Sequence, residues 1–551
     1  MSEKTLRVGV LASGIAITSA LLVWVVFQHQ RERAPRPDFS IANSIEPAGN
    51  DEASVGTAVA IDDQRKATQL KLKALLQRRL DQRDARAHET VLTFASDEAY
   101  RNFLTRAGQA GIRLRGQLDR LRTVRVGYDS LDPLFDDMRG NPADYQSVDA
   151  NYLVHVPGIP TAEDRPKVNE VPFGNSSLPF LGVAGDHSQW GRGVTVAVLD
   201  TGVAADVTLG SGRVQYLDAG LGIMPGSGKE DGHGTAVAGL VAGASPDAPG
   251  VASAANILSI RITGADGTGD SFTLAQGILS AVDAGARILN ISMGSYSPSA
   301  VLTAAIDYAS AQGAMIVAAA GNDGASQLQW PAADPRVISV GAVDALEQQV
   351  SFSNAGAQLK ITAPGYGVDA AWLDGQRVSI SGTSASTPLV AGAIASVMST
   401  TPGLTAAQAW SVLQQYASDG GTPGPDPAYG NGILNLGWAM NRNDPTRVDT
   451  AIAGQYYDSA TGMMNIVVQN RGTLPVSGLH LVMELGGASA NHAVPPLTPG
   501  ATFLVQTPVS AEQLAASGGL FYRTQLNNGS GEADQVPANN TKTGVILAPV
   551  K

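Results

Sequence analysis

The sequence predicts an α/β protein. Its main domain is a mostly parallel sheet flanked by helices on both faces, preceded by a small α+β domain and followed by an antiparallel β-sandwich. Three patterns carry this reading. Over 176–440, short β-branched runs alternate with Ala-rich helical stretches, as a parallel sheet covered on both faces requires. Over 89–155 the periodicity gives a β-α-β-β-α-β succession. Beyond Asn441, short alternating runs are separated by Gly, Pro and Asn turns, as in a small sandwich.

Composition agrees. The chain has 551 residues, 44% hydrophobic and 16% charged, which is too long for one ordinary domain and too apolar for a disordered chain. Sixty-two glycines beside only 5% aromatic residues point to layers with close backbone approaches. Residues 1–88 hold 13 Lys and Arg against 10 Asp and Glu, and the remainder holds 24 against 39, so the folded part is acidic and nucleic acid is excluded as its partner. Cysteine is absent, which excludes disulfides, cysteine-type zinc sites, iron–sulfur clusters and thiol nucleophiles.

In chain order, residues 1–7 read as a short cytoplasmic N-terminus and 8–27 as a transmembrane signal anchor. Val8 to Phe27 is 20 residues without a charge, the length a bilayer core needs, and it ends in Trp24, Val25, Val26 and Phe27, a poor cleavage site. Lys4 and Arg7 on one side balance Arg31, Arg33 and Arg36 on the other, so the flanking charges leave orientation open. Residues 28–88 form a polar spacer with Pro35, Pro37 and Pro47, then a stalk helix carrying Leu70, Leu72, Leu75, Leu76 and Leu80.

The 89–155 unit comprises strands over Thr90–Phe94, Ile112–Gly116, Arg122–Tyr128 and Val148–His155, with helices over Asp97–Ala107 and Leu131–Met138. A proline-rich junction over 156–175 follows. The main domain's strands include Val194–Leu199, Ile257–Ile262, Ile288–Met293, Met315–Ala319 and Val337–Val340. Those of the 441–551 sandwich include Met464–Val468, Leu479–Leu485, Thr502–Gln506, Leu520–Gln525 and Thr543–Leu547.

Chemistry concentrates in strings at strand ends and helix starts. Asp200, in Val198-Leu199-Asp200-Thr201-Gly202, closes an apolar strand and sets a carboxylate at the carboxyl edge of the sheet. His233, in Asp231-Gly232-His233-Gly234-Thr235, and Ser384, in Gly382-Thr383-Ser384-Ala385-Ser386-Thr387-Pro388, each open a helix, with Pro388 expected in the first turn. A carboxylate, an imidazole and a hydroxyl are the parts of an orienter, a base and a nucleophile. Asn322, in Ala320-Gly321-Asn322-Asp323-Gly324, offers an amide donor after a buried strand. Of the seven histidines, only His187 and His233 fall where a base is needed, and His187 lacks a Gly or Asp frame.

In this order and with these flanks, the strings resemble the subtilisin-like serine peptidases over about 265 residues. The Gly-Thr-Ser-x-Ser-x-Pro string alone is expected by chance on the order of once in 10⁶ windows, so coincidence is negligible. The resemblance implies a subtilisin-like fold in which Ser384 is the nucleophile, His233 the base and then acid, Asp200 the group holding the imidazole, and Asn322 the oxyanion donor beside the Ser384 N–H. It further implies that Gly267, Gly269, Ser292, Met293 and Gly294 hold an extended peptide between two edge segments. Ala319, Ala320 and Gly321 then wall a roomy pocket for the residue before the scissile bond, apolar in its walls, with Gln329 near its base and Asp323 near its mouth, which leaves its selectivity open.

No cofactor is required on this reading. Ala236 stands where many members have a second His, and the stretch after Gly239 is too short for a calcium loop; Asp266 and Asp270 read more readily as a solvated turn than as calcium ligands. The 89–155 unit resembles the family's propeptide, a chaperone and inhibitor, with self-cleavage expected within 155–176. The 441–551 region resembles CARDB-like domains through Val467-Val468-Gln469-Asn470-Arg471-Gly472, Leu497-Thr498-Pro499-Gly500 and Asn539-Asn540. The expected protein is an exported or membrane-anchored endopeptidase made as an inhibited precursor, its catalytic domain on the outer side of the cytoplasmic membrane. Its expected partners are protein or peptide substrates, its own propeptide, and the membrane through 8–27. Release after self-cleavage and retention both stay open. The alternative is a catalytically silent scaffold that acts through its sandwich.

Overall fold

The computed structural model describes residues 73–547, save 159–169, 226–230, 530–532 and a few single or paired positions. The expected anchor over 8–27 and most of the spacer lie outside the described residues. Of the expected stalk helix, 73, 74, 76–78 and 80 are helical, and Leu80 is buried in the first domain's core.

That first domain is the expected split β-α-β unit, made of β1 (Ala85–Phe94), α1 (Asp97–Ala107), β2 (Arg113–Leu118), β3 (Thr123–Gly127), α2 (Asp132–Gly140) and β4 (Tyr145–His155). Ser96 caps α1 by accepting the Ala99 N–H at 3.1 Å, and Phe94, Phe103 and Tyr145 pack edge-on or tilted beneath it.

The central domain has a seven-stranded parallel sheet from β5 (Thr195–Asp200), β6 (Val214–Asp218), β7 (Asn256–Arg261), β9 (Ile288–Ile291), β10 (Met315–Ala319), β11 (Ile338–Val343) and β12 (Ile361–Pro364), in the spatial order β12-β11-β10-β9-β5-β7-β6. Both faces are apolar, which explains the unbroken Val/Ile/Leu/Ala runs. Val196 and Val198 face one core, with α3 (His233–Ala242), α6 (Thr383–Thr400) and α7 (Ala406–Gln415); Ala197 and Leu199 face the other, with α4 (Ser271–Asp283) and α5 (Ala300–Ala311). β6 and β12 lie outside the runs from which the sequence predicts strands; each is short and ends in a residue uncommon in strands, Asp218 and Pro364.

A short strand of the central domain, β8 (Thr268–Asp270), leaves this sheet and pairs antiparallel with β4, extending the first domain's sheet to β8-β4-β1-β3-β2. Side chains on β4 also cap two central helices. Asp149 Oδ2 accepts the Ala300 N–H of α5 at 3.0 Å, and Asn151 Oδ1 accepts the Phe272 N–H of α4 at 3.2 Å. Each cap stabilises by about 1 kcal/mol. Asp270, read above as part of a solvated turn and not as a calcium ligand, is instead buried; it caps α4 through the Thr273 N–H at 2.8 Å and receives Arg125 at 3.0 Å.

The C-terminal region is a sandwich of a three-stranded and a four-stranded antiparallel sheet over one apolar core. Two of its strands were not expected. Thr450–Asp458 carries Gly454 at a register shift, and Ala488–Val494 has only Ala490 and His492 before Val494 on its more buried side.

Candidate active site

The site lies at the carboxyl ends of β5 and β9, where the strand order reverses and open α/β sheets form crevices. Leu199 pairs with Ile291, so Asp200 and Ser292, one residue beyond each, stand level at the two strand ends. Asp200 is fully buried; its Oδ1 accepts the Thr201 N–H at 2.7 Å and lies 2.8 Å from His233 Nδ1. A carboxylate can only accept, so Nδ1 carries the proton and Nε2 is the basic nitrogen. His233 is the first residue of α3, and Gly234 is required there because a Cβ would stand 2.3 Å from the Gly202 carbonyl oxygen.

Ser384 is the second residue of α6, where main-chain N–H groups have no carbonyl one turn earlier to bond. Its Oγ lies 3.3 Å from the Ser292 carbonyl oxygen, and its own carbonyl accepts the Ser292 hydroxyl at 3.2 Å. Here the structure corrects one expectation. Pro388 falls in the second turn of α6, not the first. Lacking an N–H, it leaves the Ser384 carbonyl without a helical donor, and the Ser292 hydroxyl supplies one. The proline thereby ties the serine's helix to the end of β9.

Asn322 is fully buried beside this helix start. Its Oδ1 accepts both the N–H and the hydroxyl of Thr383 at 2.9 Å, which turns Nδ2 toward Gly382, where an added Cβ would stand 2.9 Å away. Thr383 went unnoticed as a positioning residue in the sequence, although its place beside Ser384 was a signal. An imidazole oriented by a buried carboxylate, a hydroxyl at a helix start and a fixed carboxamide donor together can perform acyl transfer.

Both expected edge segments are occupied by the chain itself. Leu153, Val154 and His155 pair with Asp270, Gly269 and Thr268, and the Val156 N–H reaches the Gly267 carbonyl at 3.2 Å. On the other side, His155 and Gly294 exchange two main-chain hydrogen bonds at 3.0 Å. Met293 is fully buried beneath that segment.

Ala319, Ala320 and Gly321 end β10 and continue beyond it, but the space beside them is not the roomy apolar pocket expected. The Gln329 side chain closes its base with a polar amide, held to Asp323 by a hydrogen bond of 3.0 Å. Asp323 also accepts the Tyr296 hydroxyl, whose pKa burial and this carboxylate push up to about 12. Tyr296 and Asn354, which completes the cluster, stood in strings without any periodic or motif frame, so sequence reading passed over them. His187 is half-buried in the loop before β5, against Trp190, with its Nδ1 3.3 Å from the Gly185 carbonyl oxygen.

Among the described residues no cluster of three or more His, Cys, Asp or Glu side chains suits a metal ion, and no helix is long and apolar enough to cross a membrane.

Residues 191–432 match the model of the subtilase family. The chain is 37% identical to subtilisin BL of Lederbergia lenta over 270 residues, 48% of this chain and 97% of that one. It is 36% identical to an alkaline protease of Shouchella clausii over 279 residues, 50% of this chain and 71% of that one. Among solved structures, fervidolysin from Fervidobacterium pennivorans aligns with a TM-score of 0.56 at 20% identity, over 85% of this chain and 77% of its own, which is a likeness of fold.

Proposed function

The chain belongs to the subtilase family and is a subtilisin-like serine endopeptidase; on that premise we propose that Asp200, His233 and Ser384 are its triad and that residues 89–155 are its inhibitory propeptide. Ser384 Oγ attacks the peptide carbonyl while His233 Nε2 takes its proton. Asp200 holds the imidazole and stabilises the imidazolium, and Asn322 Nδ2 with the Ser384 N–H receives the developing oxyanion. His233 then protonates the leaving amine, and water hydrolyses the acyl-enzyme by the reverse sequence of proton transfers.

The observation that carries the precursor reading is the position of 153–156. This segment lies extended between the edge at 267–269 and Gly294, the place where a peptide substrate would add as a strand. Ser384 is linked to the same wall through Ser292, two residues before Gly294. A chain entering the cleft this way blocks it until it is cut and leaves. The cut is proposed within 155–176, and export with anchoring through 8–27 completes the reading.

Intact-mass analysis of the purified chain, beside Ser384→Ala, tests it. A split in the wild type alone, with a new N-terminus within 155–176, is expected. Ser384→Ala should lower turnover on the order of 10⁶-fold. Equal cleavage of a protein substrate by both forms would refute the serine's role, and inertness of both would favour the silent scaffold.

A further inference from the structure

Gln329 is the floor of the space between the two walls of the cleft. A Cβ on Gly294 would stand 2.8 Å from both its Cβ and its Oε1, and one on Gly321 would stand 3.0 Å from its Cγ and Cδ. Gly294 belongs to the wall that pairs with the docked tail, and Gly321 directly precedes Asn322. A substrate side chain descending beside Ser384 therefore meets Gln329.

The direction of the Gln329 amide is set by its neighbours. Nε2 faces the Asp323 carboxylate at 3.0 Å, and a carboxylate can only accept. Asp323 is itself held, since its N–H bonds Asn354 Oδ1 at 3.0 Å while Asn354 Nδ2 reaches the Tyr296 hydroxyl at 2.9 Å. Gln329 Oε1 is left facing Gly294, buried and without a donor, in a residue only 9% exposed. A buried carbonyl oxygen without a donor is a penalty that a ligand's N–H relieves. Asp323 is exposed at the mouth of the same space and adds negative charge there.

We propose that Gln329 Oε1 and the Asp323 carboxylate select, at the residue preceding the scissile bond, side chains that end in an N–H donor, glutamine and lysine, over apolar chains of similar length. The inference rests on the assignment of Ser384 and Asn322 given above and names the substrate class their cleft takes. Selection of this kind is sharp because a site with an unpaired polar group rejects the analogue that leaves it unpaired.

The test uses the full chain, after whatever processing it undergoes, with four tetrapeptide anilides that differ only in the last residue: glutamine, lysine, norleucine or glutamate. The kcat/KM for glutamine and lysine is expected to exceed that for norleucine by about tenfold or more, with glutamate lowest. Gln329→Leu should bring the glutamine-to-norleucine ratio down to about one or below, and Asp323→Asn should lower lysine selectively. Should Gln329→Leu not fold, the wild-type ratios and Asp323→Asn at the exposed mouth still decide. Norleucine cleaved as well as glutamine and lysine by the wild type would overturn the pocket assignment. Absence of turnover on all four, with no cleavage of a protein substrate, would instead remove the Ser384 reading and the proposal with it.

Discussion

The central domain is gripped from two sides, and the two grips differ in kind. The N-terminal domain is attached through a main-chain ladder as well as side chains: β4 adds to β8, the Asp149 and Asn151 side chains accept the free N–H groups of α5 and α4, and Arg125 and Arg120 pair with Asp270 and Asp283. The C-terminal sandwich is attached by side chains. Glu347, at φ 63° in a tight turn, pairs with Lys542, and Arg471 stacks over Trp438 at 5.5 Å. A cleft of about 310 Å³ remains between these units, lined by Asp419, Tyr429, Tyr456 and Tyr522 among others. The first attachment ends in the cleft that holds Ser384 and the second does not reach it. Strand addition tolerates any sequence that can extend, so the groove that holds 153–156 suits other extended chains too, whereas a side-chain interface accepts only its own partner.

Four substitutions test this contrast, taken in falling order of their effect. Asn322→Ala, placed where the first attachment ends, should lower kcat by ~10²–10³ while thermal unfolding of both attached domains stays unchanged; full turnover would dismiss Asn322 as oxyanion donor. Glu347→Ala strips the half-buried Lys542 of its partner and should destabilise by about 2 kcal/mol, seen in calorimetry as earlier unfolding of the sandwich with kcat preserved. Burial already lowers the Lys542 pKa. A parallel loss of kcat would mean that the two attachments are coupled.

Asp149→Ala removes one helix cap. In the uncut Ser384→Ala chain it should cost about 1 kcal/mol, read as roughly fivefold faster hydrogen exchange at the start of α5. Unchanged exchange there would show that strand pairing alone carries the first attachment.

The smallest effect is expected at Asp419, whose pKa burial raises despite hydrogen bonds from Gly424 and Gly420. A carboxyl raised in the folded state favours folding below its unfolded pKa, and this contribution is lost as pH rises through the raised value. Asp419→Asn should therefore raise Tm slightly above that window and lose the advantage below pH ~3.8. A gain that persisted in acid would assign the effect to packing in the cleft and not to charge.

By itself the sequence determined the fold class and the parts of the site. Strand and helix periods follow from which faces are buried, so Asp97–Ala107, Met315–Ala319 and Leu479–Leu485 could be read to the residue. Asp200, His233, Asn322 and Ser384 stand in short strings because each needs a local backbone shape that its own neighbours supply. Tertiary structure alone decided what those residues touch. Pro388 frees the Ser384 carbonyl only because β9 brings Ser292 beneath it. Gln329 closes the base of the expected pocket only because Gly294 and Gly321, from separate strand ends, leave room for it. Such contacts join positions far apart in the chain, and no local period records them.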